Sequence, residues 1–289
     1  MKKDMPNLDK FSGKELKEII KLGIKIKNKP EAYYSKLKNK TMVMWFEKPS
    51  LRTRVSFEAG MTQLGGHAIY LDTSTAHKKA DIKDEMKCLS RYADIIIARV
   101  FEHSAIKQMQ ESSAVPVINA LSNKFHPCQA LADMMALFEA FKNPLKATIA
   151  YVGDGNNVCN SLIEASKILG IKINVATPPG LKPEILPDFW AESPEEAVKD
   201  ADVVYTDTWF SMGQESKKVE KTAKIAKLKK YQVNKKLLGS RYFMHCLPAV
   251  RGQEVTDEVI DSTKSMVYLQ AENRLHVQKA IVLKLMGKV

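Results

Sequence analysis

Cysteine is scarce in this chain: four residues in 289, at Cys88, Cys128, Cys159 and Cys246, far apart and never as C-x-x-C. That spacing argues against a zinc framework built on paired thiols and for reduced cysteines in a cytoplasmic protein. No apolar run is long enough to span a bilayer. The N-terminal MKKDMPNLDKFSGKEL has neither the apolar centre of a secretory leader nor the Arg-rich, acid-poor character of a transit peptide. Aromatic residues are absent from the lysine-rich stretch 217–230 (KKVEKTAKIAKLKK). Although the formal net charge is +12, that stretch therefore reads as a solvated helix face rather than a nucleic-acid surface. Neither a membrane nor a nucleic acid is expected as partner.

What is present is an alternation of short apolar runs with helix-period segments, the pattern of parallel α/β architecture. Hydrophobic residues make up 45% and charged residues 27%, and the length allows two such domains. The first half predicts strands at 41–46, 67–71, 94–100 and 115–119, with helices near 13–27, 51–64, 81–92 and 104–112. A longer helix from Pro127 to about 142 carries Leu131, Met134, Met135 and Phe138 on one face and marks the crossover between domains. The second half predicts strands at 147–152, 172–177, 202–206, 242–246 and 266–269. Helices are expected at 157–169, 194–200, 215–229 and 272–286. The domains are thus expected at 1–142 and 143–271.

In open parallel sheets ligands collect where strands end and helices begin, so polar residues at those ends are the candidates. Ser50-Leu51-Arg52-Thr53-Arg54 opens a helix directly after the first strand. A first turn favours acidic residues, so two arginines there call for an anion, a phosphate or a carboxylate. The alternative is a surface helix with a poor charge pattern. Arg99 ends the third strand, as a crevice cation or as half of a structural ion pair. His126 and Gln129 flank Pro127, a residue suited to a first helical position. In the second half Gly153-Asp-Gly-Asn-Asn157 lacks the third glycine of a dinucleotide turn, and its asparagines suit a small polar ligand. Asp207 ends a strand and precedes a loop through Ser211, Met212 and Gly213. Cys246 and Leu247 lie at another strand tip, where a buried, inert thiol is the commoner reading. Arg274 opens the last helix. Together these describe a cationic pocket for a phosphorylated donor and a polar pocket for an amine, as in a transferase.

Ser50-x-Arg-Thr-Arg54, His126-Pro-x-Gln129, Asp207-x-x-x-Ser-Met-Gly213 and His245-Cys-Leu-Pro248, in that order, resemble the aspartate/ornithine carbamoyltransferases. The last two motifs resemble the ornithine branch in particular. The likeness runs from about residue 8 to the end. It implies two parallel-sheet α/β domains joined by two helices, the final helix 272–289 returning to the first domain, with the active site in the cleft between them. It further implies carbamoyl phosphate bound by Ser50, Leu51, Arg52, Thr53, Arg99, His126, Gln129 and Arg274. Ornithine would be bound by Asn157, Asp207, Ser211 and Met212, with Cys246 and Leu247 beside the reacting centre. Arg99, His126, Asp207 and Cys246 would carry the catalysis. A homotrimer with shared sites, no metal and no cofactor are implied as well.

Three features depart from the family pattern. Leu51 replaces a threonine and removes a hydroxyl from the phosphate loop, which implies weakened donor binding. The stretch Asp72 to Asp81 (DTSTAHKKAD) is short and lacks a glycine-rich turn; His77 is the counterpart of a residue that reaches the neighbouring subunit's site. The segment 181–191 is also short and is expected to trim a surface helix. A carbamoyltransferase for acylated ornithine or putrescine, or a non-catalytic anion-binding relative, remains an alternative.

Overall fold

The structure, a computed structural model, describes residues 3–73, 81–210 and 218–289. The chain divides into two compact units, Met1–Met135 with Asn273–Val289, and Ala136–Glu272.

The first unit is built on four parallel strands: β1 (Thr41–Phe46), β2 (His67–Asp72), β3 (Ile95–Arg99) and β4 (Val117–Leu121), in the order β2-β1-β3-β4. Strands β1 and β3 are apolar almost throughout because both faces of the sheet are covered. Its helices are α1 (Gly13–Asn28), α2 (Leu51–Gln63), α3 (Ile82–Leu89), α4 (His103–Ser112) and the start of α5 (Pro127–Ala140). A capping box formed by Ser12 and Glu15 starts α1, which buries Leu16, Ile19, Ile20 and Ile26 along one face. On the sheet face covered by α3 and α4, Val43, Trp45, Ile96 and Ala98 pack with Met86, Ile106 and Met109. Each large apolar side chain buried there contributes about 1.5–3 kcal/mol.

The second unit repeats the principle with β5 (Thr148–Val152), β6 (Lys172–Ala176), β7 (Phe189–Ala191), β8 (Val203–Thr206) and β9 (Tyr242–His245). All are parallel, in the order β7-β6-β5-β8-β9. Between them run α6 (Asn157–Leu169), α7 (Pro194–Val198), α8 (Lys218–Leu228), α9 (Lys235–Leu238), α10 (Asp257–Ile260) and then α11 (Val267–Leu285). The unit boundaries fall inside α5 and α11. Among the described residues no helix is long and apolar enough to cross a membrane.

Two sequence expectations are corrected: the strand at 266–269, and the start of the last helix, which lies at Val267 rather than 272, so that Arg274 stands inside α11 and does not open it. The strand expected at 266–269 is the first turn of α11; only Ser265 bridges to Phe243, and Met266 N donates to Phe243 O at 2.8 Å. A run as short as Met-Val-Tyr-Leu fits a strand and a buried helical turn equally well. Strand β7 was not expected, because three residues in a proline-rich segment carry no period.

Strand order decides where ligands can sit. In the first unit the chain leaves β1 toward β2 on one side and β3 on the other, so the order reverses between β1 and β3. In the second it reverses between β5 and β8. A crevice opens beyond the strand ends at such a reversal.

Candidate active site

At the first reversal, Phe46 pairs with Arg99 and Glu47 N donates to Arg99 O at 2.8 Å. The β3–β4 register shifts at Ala98/Arg99, a bulge of the kind that re-aims a side chain. Arg99 is only 2% exposed, and its Nε has no hydrogen-bond partner among the described residues. Its pKa is pushed down to about 10, by burial first and then by Arg274 and Arg52. Among the described residues, no carboxylate contributes to that balance. A buried cation flanked by cations calls for an anion.

The start of α2 supplies more of this half-site. Ser50 holds the N-cap position in extended backbone, yet its side chain makes no capping bond. The two arginines that follow diverge. Arg54 points to the surface, donating through Nε to Glu58 Oε1 at 3.0 Å and lying 4.0 Å from the Tyr70 ring centroid. Arg52 keeps its charge close enough to influence Arg99. Leu51 is 75% exposed.

Arg274, on α11, organises the interior of the half-site. Nη1 donates to Gln129 Oε1 at 2.6 Å and lies 3.3 Å from His126 Nε2, while Nη2 donates to Thr53 Oγ1 at 2.9 Å. Gln129 in turn donates through Nε2 to Asp133 Oδ1 at 2.8 Å. A guanidinium can only donate, so His126 Nε2 is the acceptor and the ring proton sits on Nδ1. Burial, then the charges of Arg274, Arg99 and Lys48, holds the His126 pKa well below the ordinary histidine value. His126 is therefore a neutral imidazole able to donate through Nδ1.

At the second reversal the loops after β5 and β8 are tied together. Asn156 caps α6, its Oδ1 accepting from Val158 N at 3.0 Å and Cys159 N at 3.1 Å. Its Nδ2 donates to Asp207 Oδ2 at 2.7 Å. Asp207 Oδ1 accepts from Thr208 N at 2.7 Å and from Cys246 Sγ at 2.9 Å. Asn157 is buried in the first turn of α6. Gly155 lets this loop lie against 181–183; a Cβ there would stand 2.3 Å from Pro183 N. Beside Asp207, Asp154 has its pKa raised by burial, which Lys224 opposes from 2.7 Å.

Leu247 sits in left-handed backbone, φ 55°, before a cis bond to Pro248. Its N–H donates to His245 Nδ1 at 2.8 Å, so His245 carries its proton on Nε2, facing Glu254 Oε1 at 3.3 Å. Asp207, His245 and Cys246 place ligand-type atoms within 4.8 Å of one another. Both imidazole nitrogens and the thiol are already engaged in the hydrogen bonds just described.

Of the expected residues, the structure thus groups Ser50, Arg52, Thr53, Arg99, His126, Gln129 and Arg274 in the first unit. It groups Asn157, Asp207, Cys246 and Leu247 in the second. His77, Ser211 and Met212 lie outside the described residues.

Residues 3–139 match the carbamoyl-P binding domain model of the aspartate/ornithine carbamoyltransferases, and residues 146–285 match the Asp/Orn binding domain model. The chain belongs to the aspartate/ornithine carbamoyltransferase family. It is 48% identical to the ornithine carbamoyltransferase of Archaeoglobus fulgidus, over 95% of this chain and 94% of that one. It is 45% identical to the anabolic enzyme of Pyrococcus furiosus, over 99% and 97%. The solved Pyrococcus furiosus ornithine carbamoyltransferase superposes with a TM-score of 0.93 at 42% identity, covering 99% of this chain and 98% of that one. That of Thermus thermophilus superposes with 0.89 at 39% identity, covering 99% of each.

Arg274 falls within the span of the family's Asp/Orn domain model yet folds into the first unit with Thr53 and Gln129. Sequence reading missed Lys48, Asp133 and Glu254. Lys48 stands two residues before Ser50 in the same loop, and that proximity was the available signal. Glu254, buried eight residues after Cys246, left none.

Proposed function

We infer that this chain transfers the carbamoyl group of carbamoyl phosphate to the δ-amine of L-ornithine, giving citrulline and phosphate. The observation that carries the acceptor side is the Asp207–Cys246 contact at 2.9 Å, a carboxylate and a thiol held together at the second strand reversal. On the donor side, Arg52, Arg99 and the uncapped first turn of α2 suit a dianionic phosphate and its departure as the leaving group. His126, neutral and protonated on Nδ1, suits the carbamoyl oxygen, whose charge grows as the amine attacks. Such a donor is worth roughly 3–4 kcal/mol in the transition state.

The δ-amine has a free pKa near ~10.4 and must be neutral to attack. Asp207 would hold it by charge and hydrogen bonding, and Cys246 would border its path to the carbonyl carbon. Positioning of this kind contributes about 7–11 kcal/mol in favourable cases. Asn157, Leu247, Ser211 and Met212 are proposed as further acceptor contacts, and Ser50, Thr53, Gln129 and Arg274 as donor contacts.

A cytoplasmic homotrimer is part of this proposal, with His77 contributed to a neighbouring copy. The exposed apolar pair Leu51 and Val55 on α2 supports a self-association surface. A light-scattering mass of one chain in solution would count against the trimer.

The reaction is tested by assaying citrulline on purified protein, with acetylornithine and putrescine as competing acceptors and Arg52→Ala as control. Turnover with ornithine, strongly reduced in the variant, is expected. No turnover with ornithine would sink the assignment, and an unchanged rate in the variant would overturn the donor site.

A further inference from the structure

Glu254 and His245 are both wholly buried in the second unit, and the reaction as proposed uses neither. Backbone bonds anchor Glu254: its carbonyl accepts from Val233 N at 2.8 Å, and Thr256 N donates to Val233 O at 3.1 Å. That bridge runs through an apolar cluster that includes Val233, Phe243, Val255 and Val259. A carboxylate there forfeits its hydration, and apolar side chains of similar volume often serve stability as well or better. What the carboxylate reaches is the loop after β9. Its Oε1 accepts from His245 Nε2, 3.3 Å away, and from the Val250 amide. Its Oε2 has no hydrogen-bond partner among the described residues. His245 is tied further, its N–H donating to Gln270 Oε1 at 2.9 Å and its Nδ1 accepting from Leu247 N at 2.8 Å. Leu247, at φ 55°, lies in left-handed backbone that a residue with a Cβ enters only at a cost. Between the two stands Cys246, whose Sγ donates to Asp207 Oδ1 at 2.9 Å.

We propose that Glu254 is a positioning residue of the acceptor half-site. It fixes the His245 tautomer, the tautomer holds the Leu247 N–H, and that bond sets Cys246 against Asp207. This deepens the function proposed above and rests on it for the substrate. Imidazole accepts at Nδ1 only while its proton is on Nε2, and Glu254 Oε1 is the acceptor that receives that proton. Without Oε1 the ring has two poor choices. A proton on Nε2 is buried without an acceptor, and a proton on Nδ1 opposes the Leu247 N–H, donor against donor. The Val250 amide loses its acceptor in the same step. The ring turns or segment 246–250 shifts, and either carries the thiol away from the carboxylate. Because both donors meet one oxygen, the side-chain amide of a glutamine can serve them too.

The test is timed alkylation with iodoacetamide, read cysteine by cysteine by mass spectrometry, on wild type, Glu254→Leu and Glu254→Gln. Cys88 is exposed and serves as internal standard, while Cys128 and Cys159 are buried and report global opening. In Glu254→Leu, Cys246 is expected to react roughly tenfold faster than in wild type, the worth of one lost hydrogen bond, with Cys128 and Cys159 still protected. Its kcat/KM for ornithine is expected to fall by roughly tenfold to a hundredfold, the scale of a small misplacement, with carbamoyl phosphate affinity within about threefold of wild type. Glu254→Gln is expected to restore the protection of Cys246 and most of the ornithine rate. If alkylation of Cys128 and Cys159 shows that Glu254→Leu opens globally, Glu254→Asp replaces it, its oxygens one methylene short of the ring. Wild-type protection of Cys246 in a folded variant without the acceptor overturns the proposal. So does an unchanged ornithine kcat/KM in that variant, an equal loss of donor affinity, or an equal defect in Glu254→Gln. Absence of citrulline formation by wild type would fail the carbamoyl transfer reading alone, because the alkylation pattern reads the role of Glu254 without turnover.

Discussion

Cys246 Sγ donates to Asp207 Oδ1 at 2.9 Å, joining the tips of β9 and β8 across 39 positions of sequence. The same carboxylate takes a second donor from the Thr208 amide and a third from Asn156. Three donors on one side chain fix the plane of its carboxylate. Asp207→Asn keeps the shape but offers an amide to donors that need an acceptor. A loss of roughly a hundredfold or more in kcat/KM for ornithine is expected, the scale of a misplaced reactant. The affinity for carbamoyl phosphate should stay within a few-fold of wild type, and an equal loss on the donor side would reject this division of labour.

Arg274 should tolerate no replacement by lysine. A lysine keeps the charge but lacks the planar fork that reaches Gln129 and Thr53 together. Arg274→Lys is expected to raise the donor KM by roughly tenfold or more and to lower the melting temperature. A donor KM equal to wild type would show that the fork is structural only.

His126 makes folding stability depend on pH. Its folded pKa lies well below its unfolded value, so below about pH 6.5 the unfolded chain binds a proton that the folded protein refuses. Stability is therefore expected to fall as pH drops from 7 to 5. In His126→Asn the urea midpoint should change less over that interval. An equal slope in both proteins would place the acid sensitivity elsewhere.

Leu51→Thr tests the departure within the phosphate loop. Because Leu51 is 75% exposed, restoring the hydroxyl is expected to change the donor KM by about twofold or less, as surface substitutions do. Donor assays on the two proteins decide it. An improvement of tenfold would mean that residue 51 faces the ligand.

Gly155→Ala should loosen the acceptor loop. The new Cβ would stand 2.3 Å from Pro183 N and 2.4 Å from Leu181 O, both backbone atoms with little freedom to yield. A destabilisation of about 1–3 kcal/mol in urea unfolding is expected, with a higher KM for ornithine than in wild type. A variant as stable as wild type would show that segment 181–183 moves freely.

Much of the fold is legible in the sequence. Apolar runs such as Thr41–Phe46 and helix-period segments such as Asn157–Leu169 announce their elements because burial on a sheet and on a helix face imposes different spacings. Arg99 and Asp207 stand where an apolar run stops, and Ser50 and His126 stand where the following helix begins. The strand proposed at 266–269 failed for the same reason that others succeeded: four apolar residues are too few to reveal a period.

The sequence by itself determined a parallel α/β protein, the ends of its strands, and the residue types waiting there. Only the tertiary structure decided that Arg52 stays near Arg99 while Arg54 turns to Glu58 and Tyr70. It alone brought Arg274 to Gln129 and Asn156 to Asp207. Periodicity reports which face of an element is buried. Which strand ends become neighbours depends on strand order, and a hydrogen bond of 2.6–2.9 Å forms only once that order has set the register.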